Sequence, residues 1–108
     1  MARLEASAPV FAALGDPRRM VLVSRLSRDG PLSITHLTKA TTITRQAVTK
    51  HLRVLEAAGL ARSEKSGRET VWALDQRPLA KAREHLDLIA RQWDEAIDRL
   101  RAFVEEDG

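Results

Sequence analysis

From Pro78 to Glu105 the chain has no internal glycine or proline, and its apolar residues return every seven positions. Leu79, Leu86, Trp93 and Leu100 fall in one row, and Ala82, Ile89, Ala96 and Phe103 in a second. That spacing predicts one long amphipathic helix with a coiled-coil seam. At 1.5 Å per residue the helix is a rod about 42 Å long, more than the rest of a 108-residue chain can cover. The uncovered stripe needs another surface, and a second copy of the same helix is the simplest one. Leu79, Leu86, Ile89, Trp93, Leu100 and Phe103 would then line a homodimer contact. In the competing arrangement the seam packs on the chain's own Phe11 helix in a monomer.

A chain of this length with 44% apolar residues is one domain, residues 1–108, with a single core and little surplus burial. It has no cysteine, so disulfides, thiolate metal sites and thiol redox switches are excluded. Met-Ala-Arg-Leu-Glu lacks the basic-then-apolar order of a signal peptide, and no apolar run approaches a bilayer span. A cytoplasmic protein without membrane contact is expected. The net charge of +3 is modest, but it is unevenly spread. Residues 1–34 sum to +2, residues 35–74 to +4 and residues 75–108 to −3. The middle segment therefore carries the footprint of phosphate attraction.

That positive segment has its own punctuation. Ser33 can cap a short helix with Ile34, Leu37 and Thr38 inward, and Thr41-Thr42-Ile43 is a turn short enough to set two helices at a steep angle. Thr44 can cap the second helix, and Gly59 can end it with a positive φ. The second helix is about fifteen residues and roughly 22 Å long. Within it Val48, Leu52 and Leu55 share one face, leaving Arg45, Gln46, Thr49, Lys50 and Arg53 on the other. Residues 33–59 thus read as a helix-turn-helix whose second helix is a probe for the DNA major groove.

Two β-rich runs then flank Ser66-Gly67-Arg68, predicting a hairpin with a bulged or longer loop over residues 60–74. Leu60, Thr70, Trp72 and Leu74 would point inward, and Lys65 and Arg68 would sit at the tip of this wing. Upstream, residues 1–7 are expected to fray. Pro9, Val10, Phe11 and Leu14 suggest a short helix ending at Gly15. Asp16-Pro17 starts another, with Met20, Leu22, Val23 and Leu26 as its buried stripe, and Asp29-Gly30-Pro31 ends it. The order is α-α-α-α-β-β-α: mainly α with a small β-hairpin, a winged helix-turn-helix with a long C-terminal dimerisation helix at 78–105.

Double-stranded DNA is the partner this pattern implies. Arg45 and Gln46 have the donor geometry for guanine and adenine edges, while Lys50, Arg53, Lys65 and Arg68 suit phosphates. A twofold dimer would set its probes about 34 Å apart, so the binding site should be nearly palindromic. Two other readings use the same elements: a winged-helix module that docks protein, and a non-specific architectural DNA binder. Exposed donors on the probe's first turn favour DNA over the first, and Gln46 and Thr49 favour base reading over the second.

An enzyme is not supported. There is no G-x-S-x-G turn, phosphate loop or H-E-x-x-H pair, so no catalytic residue and no cofactor are expected. Ser33 and Asp16 read as caps, and His36 and His85 as exposed helix residues. Trp93, at a heptad position, reads as packing rather than as a cavity wall.

Three stretches resemble the ArsR/SmtB family of bacterial winged-helix regulators. They are Phe11-Ala12-Ala13-Leu14-Gly15-Asp16-Pro17-Arg18-Arg19, Gln46 through Leu60, and Gly67-Arg68 before Trp72-Ala73-Leu74, in the family's order. The resemblance spans residues 10–105. It implies a homodimer built from the first and last helices, which adds Phe11 to the interface, and an imperfect inverted repeat in a promoter that is usually repressed. By matching position the base readers would be Arg45, Gln46, Thr49 and Lys50, with Thr44 at the helix entrance and Lys65 and Arg68 on the wing. His51, at a position often histidine in the family, would pack or meet a phosphate.

The departures from the family matter equally. Metal-sensing members commonly carry a cysteine pair where this chain has Ser33 and Thr35, whose hydroxyls are poor ligands for soft cations. On the last helix His85 is the only histidine, and Glu84, Asp87, Asp94 and Glu95 do not reproduce the family's ligand pattern. The resemblance is therefore to the metal-less branch, and the sequence does not identify the small-molecule or protein effector.

Overall fold

In the computed structural model, which describes residues 3–107, a 3-10 turn at Leu4–Ser7 runs directly into α1, Ala8–Leu14. Helices α2 (Pro17–Asp29), α3 (Ile34–Lys39) and α4 (Arg45–Ala57) follow, with a two-residue strand β1 (Leu32–Ser33) between α2 and α3. Strands β2 (Ala61–Ser66) and β3 (Glu69–Leu74) lead into α5, Gln76–Asp107. The start of the chain differs from expectation. Residues 4–7 are ordered because Ser7 is buried, its hydroxyl 2.6 Å from Nδ1 of His85 on α5. His85 is correspondingly buried rather than exposed. The first two residues of the expected frayed segment lie outside the described residues.

Local signals fixed most helix boundaries. Asp16 caps α2, its carboxylate accepting from the N–H groups of Arg18 at 2.8 Å and Arg19 at 3.4 Å. The Arg18 bond, first among its causes, holds that carboxyl below its ordinary value. Leu22 and Leu26 are buried and Val23 packs beside them, but Met20 is 56% exposed. At about 100° per residue Met20 lies roughly 140° from the Leu22–Leu26 axis, outside the face that meets the core.

The core sits where α2, α3 and α4 close over the sheet. Leu22, Leu37, Val48, Leu52, Leu55, Leu60 and Trp72 are its fully buried side chains, and Val10, Ala13 and Ala82 extend it beneath α1 and α5. Each large apolar side chain taken from water this way contributes on the order of 1.5–3 kcal/mol.

The sheet is antiparallel in the order β1-β3-β2, not a lone hairpin. Leu32 faces Trp72 and Ser33 faces Val71, so β1 covers the edge of β3 that a bare wing would leave open. Across the hairpin Ala61 pairs with Leu74 and Ser66 with Glu69. Only Gly67 and Arg68 remain for the turn, which is tight instead of bulged or long. Gly67 has φ 65°, a conformation open to glycine that suits the twist of a two-residue hairpin.

Helix α5 begins before Pro78 and is 32 residues long. Asp75 supplies the start: its carboxylate accepts from the Arg77 N–H at 3.0 Å and pairs with the Arg77 guanidinium at 2.6 Å. Pro78 then sits in the first turn, where a missing N–H costs nothing. The side-chain bond from Arg77, reinforced by its backbone N–H, lowers the Asp75 pKa from 3.8 to about 2. Because the folded pKa lies below the unfolded one, this pairing stabilises the fold above pH ~4 and is lost as pH falls towards 2. Thermal melts of Asp75→Asn should therefore trail the parent protein at pH 6 and converge with it between about pH 4 and 2. A gap that stayed constant across that range would mean the charge contributes nothing.

Only the first turns of α5 lean on the domain, through Leu79, Ala82 and His85. Leu86, Ile89, Trp93, Leu100, Phe103 and Val104 are 46–66% exposed. Past His85 the seam leaves α1 and the 3-10 turn, which its first turns touch. The helix projects instead, and the molecule measures 69 × 32 × 20 Å.

Candidate nucleic-acid interface

Helix α4 owes its position to its two ends. At its start the Thr44 hydroxyl accepts from the Ala47 N–H at 3.1 Å, satisfying one free donor of the first turn. At its end Gly59 takes φ 80°, and the N–H groups of Gly59 and Leu60 return to the carbonyls of Glu56 and Leu55, each at 2.9 Å. That double bond pattern is a Schellman cap. The helix stops at Ala57 and Leu60 begins the wing almost at once, so helix and hairpin are joined without a linker.

The two faces of α4 divide as its periodicity implies. Val48, Leu52 and Leu55 have no exposure, while Arg45, Gln46 and Lys50 point to solvent. Thr49 is half-buried, and its hydroxyl donates to the Arg45 carbonyl at 3.0 Å, which leaves that oxygen free only to accept from a base. His51 is half-buried with Nδ1 3.4 Å from Nη1 of Arg19. Arg19 in turn donates from Nε to the Ala13 carbonyl at 2.6 Å, so this corner ties α4 to the α1–α2 junction and gives His51 a packing role.

Lys65 and Arg68 are exposed at the end of the hairpin, Lys65 opposite Thr70 and Arg68 within the turn. Arg53 differs from the other basic residues, because its guanidinium is already engaged by Glu56 and lies over the Trp72 ring. The Glu56 pairing had a sequence signal in its three-residue spacing; the Trp72 contact joins two elements and had none. The expected interface residues Leu86, Ile89, Trp93, Leu100 and Phe103 share the projecting part of α5, whereas Phe11 and Leu79 are partly buried against the core.

Several of the polar groups weighed as metal donors have hydrogen-bond partners within the fold. Ser33 Oγ is committed to capping α3, accepting from the His36 N–H at 3.2 Å and lying 2.8 Å from His36 Nδ1. His85 Nδ1 is committed to Ser7. Among the described residues no three His, Cys, Asp or Glu side chains are grouped to hold a metal ion. No described helix is long and apolar enough to cross a membrane.

A capped helix with an apolar inner face and an exposed basic, amide-bearing outer face, followed directly by a hairpin, defines a DNA-binding winged helix-turn-helix regulator. Comparison with known proteins agrees. Residues 14–64 match the family described as helix-turn-helix domain. The chain is 34% identical over 98 residues to the HTH-type transcriptional regulator Rv2034 of Mycobacterium tuberculosis, covering 91% of this chain and 88% of that one. It is 33% identical over 94 residues to the repressor SmtB of the same organism, covering 87% and 67%. An ArsR-like transcriptional regulator from Rhodococcus sp. RHA1 superimposes with a TM-score of 0.77 at 34% identity, covering 91% and 92%. The chain belongs to the ArsR/SmtB family: it is a DNA-binding transcriptional regulator, not an enzyme.

Proposed function

We propose that the protein acts in the cytoplasm as a homodimeric repressor that binds an inverted-repeat operator. The exposed set Arg45, Gln46 and Lys50 on the open face of α4, opposite a fully buried apolar face, is the observation that carries DNA reading. On this reading the single domain works in three parts: residues 33–59 read bases, 60–74 grip backbone and 78–105 pair subunits. Arg45 and Gln46 address base edges, with Thr49 beside them and Thr44 at the groove entrance. Lys50, Lys65 and Arg68 neutralise phosphates. Pairing through α5 is supported by its apolar stripe, which the subunit itself leaves open to water.

Unbiased selection of duplex sites with the purified protein tests the proposal. It should return a near-palindrome with half-site centres about one helical turn apart. Sequence-indifferent binding would point to an architectural role, and no salt-dependent duplex binding to a protein-docking one. Lys65→Ala should weaken all duplexes about equally and lower the salt slope by about one per half-site, about two for the dimer on its whole operator. A loss confined to one sequence would contradict a phosphate role for Lys65.

A further inference from the structure

Arg53 is oriented unlike its basic neighbours on α4. Its guanidinium carbon lies 5.3 Å from the centroid of the Trp72 ring, and Nη1 donates to Glu56 Oε1 at 2.8 Å. Trp72 is 1% exposed and sits in β3, the central strand, paired with Leu32 on one side and Ser63 on the other. Arg53 thus spans from the outer face of α4 to the strand on which the wing is built.

We propose that Arg53 is a positioning residue, not a phosphate contact: stacked on Trp72 and paired with Glu56, it sets the angle between the recognition helix and the wing. The lever arm is what makes this matter. From Ser63, opposite Trp72, to the turn at Gly67 is about 13 Å of extended chain, so a small tilt at the base displaces Lys65 and Arg68 from the backbone. Arginine suits the task because a flat guanidinium can lie on an aromatic face while its edge pairs with a carboxylate. A lysine ammonium keeps the charge and loses that combination. The proposal rests on the wing touching DNA.

Its test is a set of duplex titrations over a range of salt with Arg53→Gln and Arg53→Lys, each made alone and together with Lys65→Ala/Arg68→Ala. Circular dichroism checks that every variant folds. Both Arg53 variants should weaken binding by about two- to fivefold per half-site, the range expected from loss of one cation–π contact in each subunit. On the doubly substituted wing that effect should shrink to under about twofold, because the residues being positioned are gone. In the free protein, Arg53→Gln should also shift the amide resonances of Lys65, Ser66, Gly67 and Arg68.

Parent-like affinity for Arg53→Lys beside weak Arg53→Gln, full additivity with the wing substitutions, or unmoved tip resonances would each overturn the positioning role. If Lys65→Ala/Arg68→Ala alone leaves affinity unchanged, the wing reading itself fails. That outcome is separate from additivity, which removes Arg53 alone.

Discussion

Trp93→Asp combined with Leu100→Asp should give a folded, monomeric protein whose operator affinity has fallen at least about a hundredfold. Both residues lie on the projecting part of α5, 66% and 57% exposed, so replacing them opens no cavity in the subunit. In a paired seam each would be buried, worth on the order of 1.5–3 kcal/mol, and twofold symmetry counts each residue twice. A carboxylate placed there adds the cost of burying an unpaired charge. Sedimentation equilibrium reads the assembly, circular dichroism the fold and duplex titration the function. A variant that stays dimeric, or a parent protein that is monomeric even at high concentration, would remove α5 as the interface.

Arg45→Ala should cost about 1–3 kcal/mol per half-site and erase the preference at one base position in each half of the operator. If the half-sites are independent the whole site loses roughly 2–6 kcal/mol. The reasoning is geometric. Arg45 stands in the first turn of α4, exposed, on a helix whose register is fixed by the Thr44 cap and three buried apolar residues. Its guanidinium can offer two parallel donors to O6 and N7 of guanine. Arg45→Lys keeps the charge without the fork, so it should hold most phosphate attraction while still losing the base preference. Site selection with each variant decides it, and an unchanged preference in Arg45→Ala would exclude Arg45 from base reading.

The parts legible in the sequence were those specified by neighbours along the chain. Asp16-Pro17, Ser33, Thr44 and Gly59 announce helix ends because capping is settled within a few residues, and the buried face of α4 follows from the helical period. The seam of α5 was visible for the same reason.

What escaped depends on contacts between distant segments. Two residues are too few to show alternation, so Leu32-Ser33 became a strand only through pairing with β3. Ser7 and His85 are ordinary polar residues until the 3-10 turn meets α5 and buries them against each other. Met20 reads as inward because several faces of α2 are apolar, and the packing of neighbouring elements chooses among them. Pro78 was a misleading start for α5, since Asp75 and its Arg77 partner begin the helix earlier. Within the candidate site, exposure of Arg45, Gln46 and Lys50 was readable; the commitment of Arg53 to Trp72 was not, because it joins a helix to a strand.

The overhang of α5 also bears on how the protein ripens after synthesis. The overhang leans on nothing in its own subunit and so lacks the tertiary packing from which most helical stability in proteins comes. On the dimeric reading, its far turns therefore mature when two newly made chains meet, and shape and abundance become linked quantities. On that same reading operator binding would rise with subunit concentration more steeply than in proportion, because pairing precedes it.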